Sequence, residues 1–140
     1  MGYPHDVSYI TKTAATAILN HHPERILEAL LEVEELPTWN PAFTHVGPAG
    51  PNGAYPITVQ KLLKGTLTYA QPNHHCLEFG ITIPGLVEHS TFTLKPQGGS
   101  TRVTHTVTQR GFLCTVIGDH EASLVPDKRL NRLARILDNK

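Results

Sequence analysis

Cysteine occurs only twice in this chain of 140 residues, at Cys76 and Cys114, and two isolated cysteines supply neither a disulfide framework nor a four-ligand zinc pattern. Both are expected to be reduced and buried. An excess charge of either sign is also missing: 12 Lys and Arg face 12 Asp and Glu, which leaves no electrostatic footprint for nucleic acid or an anionic membrane. No apolar run approaches the roughly eighteen residues that span a bilayer, so integral membrane association is excluded. The start, Met1 to Ile10, lacks the basic end and apolar centre of a secretory signal, and a cytoplasmic location is the default expectation. HExxH, CxxC, a Gly-rich phosphate loop and the GxSxG elbow are all absent, and neither a cofactor nor a metal is expected. Nine histidines invite a metal, but the pairs His21-His22 and His74-His75 are sequence neighbours, which on a strand point to opposite faces.

What is present reads as one domain over residues 1–140, with 39% hydrophobic residues and neither repeats nor low-complexity tracts. From Val7 to Leu19, Thr11, Thr13, Thr16, Ile10 and Ile18 favour a strand. Pro23 suits the first position of a helix, because it has no amide hydrogen to lose, and Glu24 complements the positive end of the helix dipole. Ile26, Ala29, Leu30 and Val33 then form an apolar helical stripe. Leu36-Pro37 and Asn40-Pro41 bracket Trp39 and leave room for one short helical turn. Gly47 to Gly53 reads as an exposed loop.

Strand-like runs follow at Tyr55 to Leu63, Gly65 to Gln71, His75 to Ile83, Leu86 to Lys95 and Ser100 to Arg110. The breaks at Lys64-Gly65, Pro72-Asn73, Pro84-Gly85 and Pro96 to Gly99 are short enough for antiparallel hairpins. Alternation puts Leu77, Phe79, Ile81 and Ile83 on one face, and Val103, His105 and Val107 on the matching face of the last strand. Leu113, Val116, Ile117 and Leu124, then Leu130, Leu133, Ala134 and Leu137, make two apolar stripes on either side of Pro126, where a kink or short break is expected within a long helix. Lys128, Arg129, Arg132, Arg135 and Lys140 read as its solvated face. The order is that of an α+β domain.

Pro23-Glu24-Arg25-Ile26, Leu36-Pro37-Thr38-Trp39-Asn40-Pro41 and Gly98-Gly99-Ser100-Thr101-Arg102-Val103-Thr104-His105, followed by Gly111-Phe112-Leu113, resemble the SRPBCC superfamily. It includes START domains, birch-pollen-allergen-like proteins and polyketide cyclase/dehydratase-like proteins. The resemblance implies a helix-grip fold, in which a seven-stranded antiparallel sheet wraps around a long C-terminal helix, with two short helices after the first strand. It also implies a cavity between sheet and helix. Glu32-Val33-Glu34-Glu35 departs from the family, where an Asp is frequent near the end of the first helix, and so does Pro126.

Such a cavity has mostly apolar walls and a few polar groups that orient a ligand. The expected walls are Tyr69, Leu77, Phe79, Ile81, Phe92, Leu94, Val103 and Val107 on the sheet, with Leu113, Val116, Ile117 and Leu124 on the helix. Ser90, His105, Gln109 and His120 are expected to add polar groups to that lining. Glu88, with His105 or His120, offers a general acid/base pair; the competing reading of each histidine is a buried residue hydrogen-bonded within the fold. Trp39 is expected to pack its turn onto the sheet. Three functions remain open: binding or carrying an apolar, lipid-like or polyketide-like small molecule; cyclase/dehydratase catalysis in the same cavity; and protein interaction through an open sheet edge. Convergence of Glu88, His105 and His120 on one cavity separates the second from the first. Oligomeric state is not encoded in any motif here.

Overall fold

Period-two alternation of inward and outward side chains, clearest in β5, β6 and β7, dictates the sheet. The structure is a computed structural model that describes residues 10–40, 43–114 and 119–139, without the side chains of residue 34 and of residues 119–121. In chain order it contains β1 (Ile10–Leu19), α1 (Pro23–Leu31), a 3-10 turn (Val33–Glu35), α2 (Leu36–Trp39), β2 (Phe43–Val46), β3 (Tyr55–Val59), β4 (Leu63–Asn73), β5 (Cys76–Ile83), β6 (Leu86–Gln97), β7 (Ser100–Arg110) and α3 (Asp119–Asp138). The strands form one sheet in the order β1-β7-β6-β5-β4-β3-β2, antiparallel throughout. This is the helix-grip α+β arrangement, with α3 lying on the concave side and packing chiefly on β1. Residues 7–9 of the expected first strand and Val116 and Ile117 of the expected last helix lie outside the described residues.

The inner face of β1 carries Thr11, Thr13, Ala15 and Ala17 ahead of Leu19. These small side chains let α3 approach closely. Among the described side chains of α3 the buried ones are Ala122, Pro126, Arg129, Leu130, Leu133 and Leu137, one stripe at helical spacing.

Helix α3 continues through Pro126 from Asp119 to Asp138, so of the expected kink or short break, the break does not occur. Proline at this position removes the amide hydrogen that would reach the carbonyl of Ala122. The Thr13 hydroxyl of β1 donates to that carbonyl at 3.3 Å. A side chain from the sheet thus replaces the missing backbone donor.

Other boundaries also differ from expectation: Pro72 and Asn73 end β4 instead of breaking it, so that turn falls at His74-His75, and β6 runs on through Pro96 to Gln97. The reversal between β3 and β4 falls at Gln60–Leu62 rather than at Lys64-Gly65. Gln60 and Lys61 both have left-handed φ, 57° and 64°, and Leu62 N donates to Val59 O at 3.1 Å. Gly65 lies inside β4, where a Cβ would sit 2.0 Å from the Thr82 carbonyl oxygen; its absence of side chain serves strand approach, not a turn. Helix α1 stops at Leu31, and Val33 enters the 3-10 turn, half-buried. Cys114 is buried, whereas Cys76 is only partly so.

Candidate functional site

The sheet register lines up inward side chains in rows across the strands. Ile81 pairs with Glu88, and Glu88 with Gln109; Phe79 pairs with Ser90, and Ser90 with Val107; Leu77 pairs with Phe92, and Phe92 with His105. Helix α3 crosses above these rows. Its Arg129, 6% exposed, points into them.

Arg129 Nη1 donates to Glu88 Oε2 at 2.7 Å and Nη2 to Oε1 at 3.1 Å. Gln109 Nε2 donates to Oε1 at 2.9 Å, and Ser90 Oγ to Oε2 at 2.5 Å. Burial alone would push the Glu88 carboxyl up; the adjacent guanidinium and these hydrogen bonds outweigh it and hold the group down at about 2. Glu88 is therefore a carboxylate at neutral pH, with donors on both oxygens.

His105 is fully buried, and its ring lies 3.9 Å from that of Phe92, at 9°. Its Nδ1 is 3.0 Å from the carbonyl of Thr91. A carbonyl only accepts, so Nδ1 carries the proton and Nε2 is left to accept from Arg129 Nη1 at 3.3 Å. Burial, followed by the charge of Arg129, lowers its pKa to about 4. The imidazole is neutral, with both nitrogens occupied.

A cavity of about 400 Å³ opens beside this cluster. It is lined by Ile81, Ile83, Leu86, Glu88 and Gln109 from the sheet's centre and by Phe43, Val59, Gln60 and Leu63 from β2 to β4. Leu113, Val125, Lys128 and Arg129 close it from the C-terminal side, and Asn40 from the end of α2. Of the residues expected to line it, Ile81, Gln109 and Leu113 do, and Glu88 joins them.

Tyr69, Leu77, Phe79, Ser90, Phe92, Leu94, Val103, His105 and Val107 lie elsewhere, filling the other half of the concave face. There Phe92 takes Trp39 edge-on at 5.9 Å and stacks on Phe79 at 5.6 Å. Tyr69 meets Phe79 edge-on at 6.0 Å and donates its hydroxyl to the Leu30 carbonyl at 3.3 Å. Trp39 thus packs α2 onto the sheet. Leu124 is half-buried and outside the cavity lining, where its neighbour Val125 stands. The side chain of His120 lies outside the described residues; the other two acid/base candidates, Glu88 and His105, are joined through Arg129 Nη1.

Arg129, a solvated cation by its sequence pattern, is instead the centre of the cluster. Its signal in the sequence is its place on the helix, three residues after Pro126 and four before Leu133, both buried. Asn40 was also missed. It is 2% exposed, and among the described residues its Nδ2, like Trp39 Nε1, has no hydrogen-bond partner. Among the described residues no helix is long and apolar enough to cross a membrane.

Comparison with known structures agrees with this geometry. A START superfamily protein from Mycobacterium smegmatis matches with a TM-score of 0.68 at 16% identity, over 91% of this chain and 94% of that one. A conserved protein from Geobacillus kaustophilus matches with 0.75 at 14%, over 92% and 96%, and Ara h 8.0201 with 0.69 at 13%, over 94% and 99%. No curated protein matches the sequence. The model of the family described as "Polyketide cyclase / dehydrase and lipid transport" matches residues 11–136, and with that match, on this fold, the chain belongs to that family within the SRPBCC superfamily.

Proposed function

We propose that the protein is a single-domain binder or carrier of an apolar small molecule, lipid-like or polyketide-like, held in the cavity between the sheet and α3. The observation that carries this reading is the pairing of an apolar cavity of about 400 Å³ with a polar cluster whose members satisfy one another. The volume is within the range of roughly 300–1,000 Å³ usual for small-molecule sites. An acid/base catalyst exchanges protons with its substrate and needs a pKa near the working pH. Glu88 and His105 are both displaced far below neutrality, and their polar atoms engage Arg129, Ser90, Gln109 and the Thr91 carbonyl. That cluster supports a strut tying α3 to the sheet rather than a cyclase/dehydratase centre.

Native mass spectrometry of freshly purified protein, followed by lipid extraction, tests the reading. An apolar adduct is expected on the wild-type chain and is expected to be lost in Leu86→Trp, whose indole fills the cavity. Wild-type protein without an adduct, or an adduct that Leu86→Trp retains, overturns the proposal.

A further inference from the structure

We infer that the ligand is an amphiphilic anion, its apolar body filling the cavity and its charged head staying at the mouth beside Lys128; this rests on the cavity being the ligand site and names the class of molecule it takes. The exposure of the lining shows where the mouth is. Around Ile81 and Ile83 the wall is buried, whereas Leu113 and Val125 are half-buried and Gln60 and Lys128 are exposed. The cavity therefore opens between the β3–β4 reversal, the segment after β7 and the middle of α3.

Charge is distributed unevenly along this cavity. Its described lining holds one carboxylate, Glu88, and two cations, Lys128 and Arg129. Arg129 binds both Glu88 oxygens, at 2.7 and 3.1 Å, so these two charges cancel at the buried end. Lys128 is left uncompensated. Among the described residues no Asp or Glu lies within ion-pair distance of it, and the neighbouring Asp127 accepts from Asn131 Nδ2 at 3.3 Å. Lys128 follows Val125 by three residues, which places both on one face of α3. A lysine that is part of an apolar wall and yet exposed lays its methylene stem on that wall and keeps its ammonium in water. An amphiphile entering tail first meets this arrangement end to end. Its apolar body leaves water, while its charge stays hydrated beside the ammonium and escapes the desolvation cost of a buried ion. The ammonium is a compact point charge, so it selects the sign of the head and not its shape. A cationic head is repelled at the mouth, and Glu88 offers it no compensation, because Arg129, Ser90 and Gln109 already donate to both carboxylate oxygens.

The test uses the intact chain and three probes of one chain length, decanoate, decanol and decyltrimethylammonium, in isothermal titration below their micelle concentrations. Decanol is the uncharged reference. Lys128→Gln is expected to weaken decanoate about fivefold relative to decanol, a change of about 1 kcal/mol. Lys128→Glu is expected to weaken decanoate further and to tighten decyltrimethylammonium about fivefold relative to decanol. High salt is expected to shrink both differences, because head and ammonium remain in water; a difference that survives it overturns the placement of the head at the mouth. Variants that leave the ratio of decanoate to decanol unchanged, or weaken all three probes alike, overturn the role of Lys128 while the cavity stands as a site. Failure of all three probes to bind wild-type protein overturns the cavity reading itself.

Discussion

The two halves of the concave face are made by the same strands, β5, β6 and β7, yet one is solid and the other hollow. Around Phe92 the inward positions are aromatic, and Trp39, Phe79, Phe92 and His105 stack or meet edge-on. Towards Ile83 and Leu86 they are aliphatic, and the space above them is spanned by Arg129 reaching down to Glu88. Side-chain volume decides the difference. Where rings stop, the sheet and helix stay apart, and a charged strut holds the gap that a close-packed core would have closed.

That contrast predicts where substitution hurts. Phe92→Ala empties the solid half and is expected to lower the unfolding free energy by up to about 5 kcal/mol in urea titration. Arg129→Met leaves Glu88 buried and unpaired and is expected to cost about 3–4 kcal/mol; the double variant with Glu88→Gln is expected to recover a large part of this. If the double variant is no more stable than the single one, the strut has been misread.

Acid sharpens the same contrast. His105 has a folded pKa of about 4 against 6.5, so protonation favours the unfolded chain, and its contribution is complete above pH 6.5 and falls away as pH drops towards 4. Glu88, held at about 2 against 4.5, adds a second loss from pH 4.5 down to 2. The upper window is worth roughly 3 kcal/mol at most. His105→Phe, which preserves the stack on Phe92, is expected to flatten the urea midpoint between pH 6.5 and 4.5 and leave the lower decline in place.

Overpacking separates the halves with smaller effects. Leu77→Phe in the solid half is expected to cost about 1–3 kcal/mol, whereas Ile83→Phe, projecting into the cavity, is expected to cost less than about 1 kcal/mol while abolishing ligand uptake. The smallest effect lies at the cavity's edge. Lys61→Gly relieves a left-handed φ of 64° and is expected to raise stability by about 1 kcal/mol, with no change in ligand affinity.

The solid half was legible in the sequence because alternation is local: each strand announces its own inward face, and the order of elements announces the grip. The cavity was less so. Its position depends on which facing side chains are large, a property of pairs that are distant in the chain. Arg129 read as a solvated cation because its partner lies 41 residues away and nothing in a helical pattern marks a charge as buried except its place among apolar neighbours. The reversal at Gln60-Lys61 carries none of the Gly or Asn that left-handed φ favours, whereas Gly65, a turn residue by type, serves a different need. Pro126 reads as a kink or short break because its remedy, the Thr13 hydroxyl on the Ala122 carbonyl, comes from 109 residues upstream of that carbonyl.

The hydrogen bond from Thr13 to the Ala122 carbonyl also bears on the order in which the chain folds. It joins the first described strand to the last helix, and β1 further pairs with β7 along its whole length. The N-terminal strand leaves the ribosome early and has no neighbour until nearly all the rest has been made. Closing so long a loop is entropically costly and slow. The hairpins from β3 to β7 need no such wait. On contact order alone, their assembly into a meander is expected before β1 docks, and the Thr13 cap on the Pro126 turn is expected to form last.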